Sequence, residues 1–330
     1  MHPRALPATL GPTAAPTFTR ADLRAHGLPE DRLRAGDIRR VTHGVHRRTA
    51  DAPLTWDALG YPVPPAPFAP EEVAAVVQAA RGVASHVTAL LLHGLPLPPF
   101  LTEDGTVHLS RPHRRGASLR PEVTSHARSV PGQDVVRLHG IPVTSIERTW
   151  ADLAAMLPRG PVDPVVAAGD AAVTPLWTPE GRLPPRTTIP RLRACLERSG
   201  RFSGIRMARA ALELVRVGAD SPPETALRLA LIDAGLPEPE LQLMLHPGRR
   251  GSPDADLGYR QWRLVLHYDG AHHRSLEQQA RDRRRNEGWE RAGWAQIVVT
   301  EDDARDGFGR VVAEVVAHRE RLGGRVFAVR

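Results

Sequence analysis

Between Ser252 and Gly270 the chain reads SPDADLGYRQWRLVLHYDG, a stretch that carries three aspartates. Asp254 and Asp256 stand two apart, so a strand from Asp254 to Tyr259 sends both carboxylates from one face. After a turn at Arg260 and Gln261, the run from Arg263 to Tyr268 alternates. Leu264, Leu266 and Tyr268 fall on one side, and Val265, His267 and Asp269 on the other. A hairpin presenting Asp256 beside His267 and Asp269 is a seat for a divalent cation, because hard cations such as Mg²⁺ take clustered oxygen ligands and keep several waters. Taken singly, the same aspartates are ordinary turn or edge residues. Their company gives them weight. Upstream, Ser221-Pro-Pro-Glu224 opens the helical run ETALRLALIDA, with Ser221 as N-cap and Glu224 in the first turn, where a capping box is the structural role for that glutamate. Downstream come His272 and His273, a charged helix from Leu276 to Ala292 containing Arg281, Asp282 and Arg285, and the apolar strand Ala295 to Thr300.

This order of a helix glutamate, a strand aspartate, Y-D-G-x-x-H on a second strand, D-x-x-R on a helix, then A-G-W and an apolar strand resembles the very-short-patch-repair-type branch of the PD-(D/E)XK restriction-endonuclease-like fold. In particular it is similar to the endonuclease-like domains at the C-termini of many bacterial proteins, over roughly Ser221 to Leu322. The resemblance maps Glu224 to the helix glutamate, Asp256 to the first-strand metal aspartate, Asp269-Gly270 with His273 to D-G-x-x-H, and Asp282 with Arg285 to D-x-x-R. It implies phosphodiester hydrolysis with bound Mg²⁺ or Mn²⁺. Asp256 is then the firmest metal ligand, Asp269 a second, and Glu224 holds a water or the metal from its helix. His273 or His272 receives the attacking water's proton, and the planar guanidinium groups of Arg281 and Arg285 face the phosphate.

One position departs from the pattern. Relatives in this branch read E-x-D-G where this chain has His267-Tyr268-Asp269-Gly270, and the sequence contains no lysine for the fold's name-giving motif. Three readings of His267 stand open: a ring nitrogen on the metal, only its backbone carbonyl on the metal, or a mark of lost activity. The competing reading of the whole is a non-catalytic DNA-binding regulator or antitoxin-like protein that keeps a degenerate nuclease fold.

At 330 residues, 41% of them hydrophobic, the chain is long enough for two or three cored domains. Cys195, the sole cysteine, excludes an internal disulfide and a cysteine-ligated zinc site. No run approaches the roughly 18 apolar residues of a membrane span, and Met1 to Thr17 lacks a signal-peptide core, so the expectation is a soluble cytoplasmic protein with no membrane partner. The net charge of +7 suits a polyanionic partner, and its placement says more. Residues 1–50 hold 9 Arg against 4 acids, whereas residues 221–330 hold 17 Arg against 17 acids, so binding to phosphate is expected to be led from the N-terminus.

The remaining elements position these groups. Residues 1–17 are a proline-bearing lead. Thr19 caps a short helix from Arg20 to His26, a second helix runs from Pro29 to Ala35, and Ile38 to Arg48 reads as two strands around Thr42 to Gly44. Within residues 18–50 this outline resembles the N-terminal winged helix of AbiEi-type antitoxins, with Arg39, Arg40, Arg47 and Arg48 as backbone contacts that position DNA rather than read it. The same resemblance implies a toxin–antitoxin-type or defence-system partner. Residues 51–69 form a proline-rich linker. Residues 70–175, with S-H-x-x-A at Ser85 and P-V-T-S-x-x-R-T at Pro142, look like the middle domain that follows such a winged helix; Thr144 and Glu147 form an expected capping box there. His86, His93, His108, His113, His126 and His139 lie in this region without a repeating ligand spacing and read as structural. Residues 176–220 are a proline-rich loop and two connecting helices, and residues 221–330 the endonuclease-like domain. The fold class is α/β: a winged helix, an α/β middle domain, and a mixed sheet flanked by helices.

Overall fold

The structure is a computed structural model of the chain, and it describes residues 17–42, 44–48, 70–101, 105–112, 122–138, 140–157, 159–178, 181–249, 251–269 and 276–323. His272 and His273 lie outside the described residues, as do the side chains of Arg39, Arg47 and Arg281. The fold is α/β, and it separates into two compact units: Met1–Pro161 with Thr187–Leu212, and Val162–Arg186 with Glu213–Arg330.

The first unit begins with β1 (Phe18–Thr19), α1 (Arg20–Ala25), β2 (Ile38–Thr42) and β3 (Val45–Arg48), in the sheet order β1-β3-β2. Thr19 caps α1 as expected: its hydroxyl accepts from the Asp22 backbone N–H while the Asp22 carboxylate accepts from the Thr19 N–H. The second helical segment is a 3₁₀ turn, Glu30–Arg34, rather than an α-helix. Next come α2 (Pro70–Ala80), β4 (Val83–Ala84), α3 (His86–Leu92), β5 (Val107–Arg111), β6 (Val123–Ala127), β7 (Val135–Leu138), β8 (Ile141–Thr144) and α4 (Ile146–Met156). Their strands form a mixed sheet in the order β6-β5-β4-β8-β7, with β5–β6 and β4–β8 parallel. The N-cap of α4 is Ser145, whose hydroxyl accepts from the Arg148 N–H, not Thr144. Thr144 is the last residue of β8, and Glu147 instead accepts from the Thr187 hydroxyl.

The second unit opens with α5 (Asp163–Val173), β9 (Leu176–Thr178) and β10 (Gly181–Leu183). The stretch read as a proline-rich loop therefore contains a short antiparallel hairpin. α6 (Ile189–Ser199) and most of α7 (Ile205–Leu214) belong to the first unit; the second then continues with α8 (Pro222–Asp233), β11 (Glu240–Met244), β12 (Asp254–Tyr259), β13 (Leu264–Asp269), α9 (Leu276–Arg291), β14 (Ala295–Thr300), α10 (Glu301–Arg305) and α11 (Gly309–Arg321). The sheet order is β11-β12-β13-β14; the first two pairings are antiparallel and β13–β14 is parallel, which the crossover through α9 allows. Leu227 and Leu231 of α8 join Leu257, Tyr259, Leu264, Leu266, Ile297 and Val299 of the sheet and Val311 and Val315 of α11 in one core. Trp289 of α9 packs on Leu243, Ala255 and Val265 in another. Gly288 is required where α9 meets the loop before β12, since a Cβ there would stand 2.5 Å from Pro253 Cγ.

Candidate active site

The first turn of α8 delivers Glu224 to the end of the sheet where β12 and β13 part. The β12–β13 ladder pairs Tyr259 with Leu264, Gly258 with Val265, and Leu257 with Leu266. One residue further, the Asp256 carboxylate takes over as acceptor, receiving the Tyr268 backbone N–H at 2.7 Å. The strands are thus held by a side chain at the point where their ends open. Glu224 is not in the capping box expected of it. Ser221 occupies the N-cap position, but its hydroxyl donates to Glu224 Oε1 (2.7 Å), and the Asp220 N–H donates to Oε2 (3.0 Å).

These carboxylates crowd one another. Burial pushes the Glu224 carboxyl up to about 7, with the charge of Asp256 the next cause; Ser221 and the Asp220 N–H act against it. Burial likewise raises Asp256, opposed by the Tyr268 N–H and by Arg285, and reinforced by Asp254 and Asp282. Asp220, a residue the sequence did not single out, is pushed up to about 6 by burial and by Asp256, with Arg182 in opposition. Such shifts arise when like charges share a poorly hydrated volume. Among the described residues, the sequence-derived candidates brought together here are therefore Glu224 and Asp256, with Asp254 and Asp220 beside them.

Asp269 ends β13 opposite Thr300, and it is not among the groups that most raise Glu224 or Asp256. Arg285 of α9 pairs with Asp282 at 3.5 Å, and its charge acts on both Asp256 and His267. His267 is buried, with 4% of its surface exposed; neither ring nitrogen makes a well-formed hydrogen bond among the described residues, though the Gln296 carboxamide lies close enough to act on the ring. Burial, then Arg285, depress it to about 4, so the imidazole is neutral at neutral pH; the Gln296 carboxamide and Asp282 pull the other way. Among the described residues, no group of three or more His, Cys, Asp or Glu is arranged to hold a metal ion.

In the first unit the structure assembles histidines that the sequence left scattered. The His86 and His126 rings stack with centroids 3.4 Å apart and planes 8° from parallel, and His126 Nε2 lies 3.2 Å from His108 Nδ1. His86 also meets the Ser85 hydroxyl at 2.9 Å, and His93 meets the Thr144 carbonyl at 2.8 Å. His86 and His126 thus meet face to face, whereas His126 and His108 meet through ring nitrogens. Burial holds His86 well below its ordinary value and His126 at about 4. His113 and His139 lie outside the described residues.

Two curated relatives are uncharacterised proteins of Mycobacterium tuberculosis, Rv2248 of strain H37Rv and MT2308 of strain CDC 1551. Each is 28% identical to this chain over 238 residues, 72% of this chain and 82% of the relative. No family model matches the chain. No solved structure matches it.

Proposed function

We propose that the chain is a metal-dependent DNA endonuclease whose hydrolytic site is the end of the β12–β13 pair facing the first turn of α8. The observation that carries this reading is the convergence of Glu224 and Asp256, from elements far apart in sequence, into a crowded carboxylate group. From α8 on, apart from the added strand β11, the element order is a helix, two strands, a helix and a strand parallel to the second of them, the order the endonuclease resemblance implies, and this adds support.

The donor set suits Mg²⁺ or Mn²⁺. Carboxylates raised by burial and by neighbouring negative charge are relieved by a divalent cation, and such cations need only one or two protein carboxylates when waters and a substrate phosphate complete the shell. Asp256 would hold the ion, with Glu224 beside it. The bound metal would polarise the phosphoryl oxygen and make a coordinated water more acidic. Asp256 also keeps β13 in place through the Tyr268 N–H, so the same carboxylate fixes the backbone on which Asp269 sits. Arg285, close enough to Asp256 to favour its charged form, is the residue proposed to meet the phosphate. His272 and His273 remain the proposed proton acceptors.

In the first unit, the β2–β3 hairpin following two short helical turns carries Arg39, Arg40, Arg47 and Arg48 and is proposed to contact the DNA backbone. The test is incubation of the purified protein with supercoiled plasmid and Mg²⁺ or Mn²⁺. Nicking that is lost in Asp256→Ala supports the endonuclease. No nicking by the wild type with either metal on several substrates would favour the non-catalytic DNA-binding regulator.

A further inference from the structure

Independently of the endonuclease reading, we propose that the first unit carries a binding site for a small aliphatic acid, in the cavity between the last turn of α4 and the connection from α6 to α7. The cavity holds about 650 Å³, a size suited to a small organic ligand, and it lies wholly within one compact unit. Its apolar wall is made by Met156 and Leu157 at the end of α4, Phe202 of the connection and Met207 of α7. Leu157 is buried, whereas Met156, Phe202 and Met207 keep part of their surface exposed. Apolar side chains gathered around a concavity and left in part to water are the ordinary lining of a ligand site, and unbranched thioether chains adapt to a hydrocarbon body.

The wall is built before any ligand arrives. Gly204, at φ +84°, lets the connection lie directly on α4: a Cβ there would stand 2.1 Å from the Ala154 carbonyl oxygen. The Arg128 guanidinium sits over the Phe202 ring, 4.8 Å from its centroid, and it also donates to Asp152 of α4 at 3.4 Å. Phe202 is thereby tied to the helix whose end supplies Met156 and Leu157. At the rim stand Arg159 and Arg206, both exposed, and neither pairs with an acid among the described residues. This sets them apart from Arg191 and Arg198 of α6, which are held by Glu147 and Asp134. The described lining contains no acid, so nothing in it neutralises the two guanidinium groups or attracts a cation. Such a cavity is complementary to a ligand with an anionic head and an apolar body, since guanidinium matches a carboxylate through paired N–H donors.

The test is titration of the full-length protein, labelled with ¹³C at its methionine methyl groups, with decanoate below its micelle-forming concentration. The chain has four methionines, Met1, Met156, Met207 and Met244, so one spectrum reads the cavity and carries its own control. The signals of Met156 and Met207, assigned through Met156→Leu and Met207→Leu, should shift saturably while that of Met244, in the second unit, stays in place. Arg159→Gln combined with Arg206→Gln should weaken binding by about tenfold or more, the least expected from losing a charge-assisted contact. Both substituted side chains are exposed, so the double variant tests the cavity's charge and not its fold. Decyltrimethylammonium, with the same body and the opposite charge, should bind about tenfold more weakly or worse. Inorganic phosphate, with charge but no body, should leave both methyl signals in place. Absence of saturable shifts, equal affinity for the two decyl probes, or unchanged affinity in the double arginine variant would overturn the proposal, as would phosphate shifting the two signals as decanoate does.

Discussion

At the scale of single residues, burial and like charge act together to raise the site's carboxyls, and hydrogen bonds and Arg285 oppose them. Glu224 illustrates it: held up at about 7 against an ordinary 4.5, the carboxyl is protonated in the folded chain at pH values where the unfolded chain has already lost the proton. The native state therefore binds more protons than the unfolded state between those values, and stability falls as pH rises through that window. The penalty is absent below about pH 4.5 and complete above about pH 7, where it amounts to about 3 kcal/mol at most. Glu224→Gln is expected to raise the urea midpoint of the metal-free protein at pH 8 and to leave it nearly unchanged at pH 4, with saturating Mn²⁺ narrowing the difference. Equal gains at both values would remove the charge argument. Glu224 and Asp256 were legible in the sequence because each sits in a patterned element, one in the first turn after an N-cap and the other on an alternating strand. Asp220 was not, since an acid ahead of an N-cap looks like any capping-region residue. Gln296 was hidden in an apolar run, where only the β13–β14 register shows that it shares a face with His267.

At the scale of elements, the question is what holds α8 so that its first turn meets β12. Arg228, fully buried one turn after Glu224, donates to Asp170 Oδ2 of α5 and to Glu238 Oε1, each at 2.9 Å, and to the Leu214 carbonyl at 2.8 Å. Thr225, adjacent to Glu224, donates to the same Asp170 oxygen at 2.9 Å, and the Arg216 N–H binds the other at 2.7 Å. This network explains why the segment 162–186, part of which the sequence grouped with the middle region, folds with the C-terminal unit. Arg228→Met strands a buried Asp170 carboxylate and is expected to cost about 3–5 kcal/mol, the usual loss when one partner of a buried pair is removed. Asp170→Asn paired with Arg228→Met should recover part of that in the same denaturation assay; full additivity of the two losses would show that the residues do not act together. Strands β12, β13 and β14 were legible from alternation and from a continuous apolar run. Strand β11 was not: Gln242 adopts φ +48°, and Leu241 joins the core under α8 while Leu243 joins the one under α9, so the stretch shows no simple period of two. Thr144 misled as a cap because the sequence offers Thr144 and Ser145 side by side, and strand β8 claims the first.

At the scale of the whole molecule, charge and division of labour are what the sequence shows most readily. The arginine surplus of residues 1–50 falls on the unit that carries the hairpin, while the carboxylate cluster belongs to the other. Part of that surplus is spent internally: Arg24 pairs with Glu30, and Arg32, buried, forms a two-pronged pair with Asp37. Replacing Arg39, Arg40, Arg47 and Arg48 together with alanine should lower DNA affinity and flatten its dependence on salt by about 0.9 in log–log slope for each phosphate that the hairpin ceases to neutralise. An unchanged slope would take the hairpin out of the interface. Among the described residues no helix is long and apolar enough to cross a membrane. The proposed chemistry as a whole stands on Glu224 and Asp256 sharing one poorly hydrated volume. Titrating the ¹³C-labelled Glu224 carboxyl by NMR, in the wild type and in Asp256→Asn, tests that directly. A shared volume predicts a midpoint near 7 that falls in the variant by the part Asp256 supplies, while burial still holds it above the ordinary glutamate value of 4.5. A Glu224 midpoint near 4.5 in both proteins would contradict it.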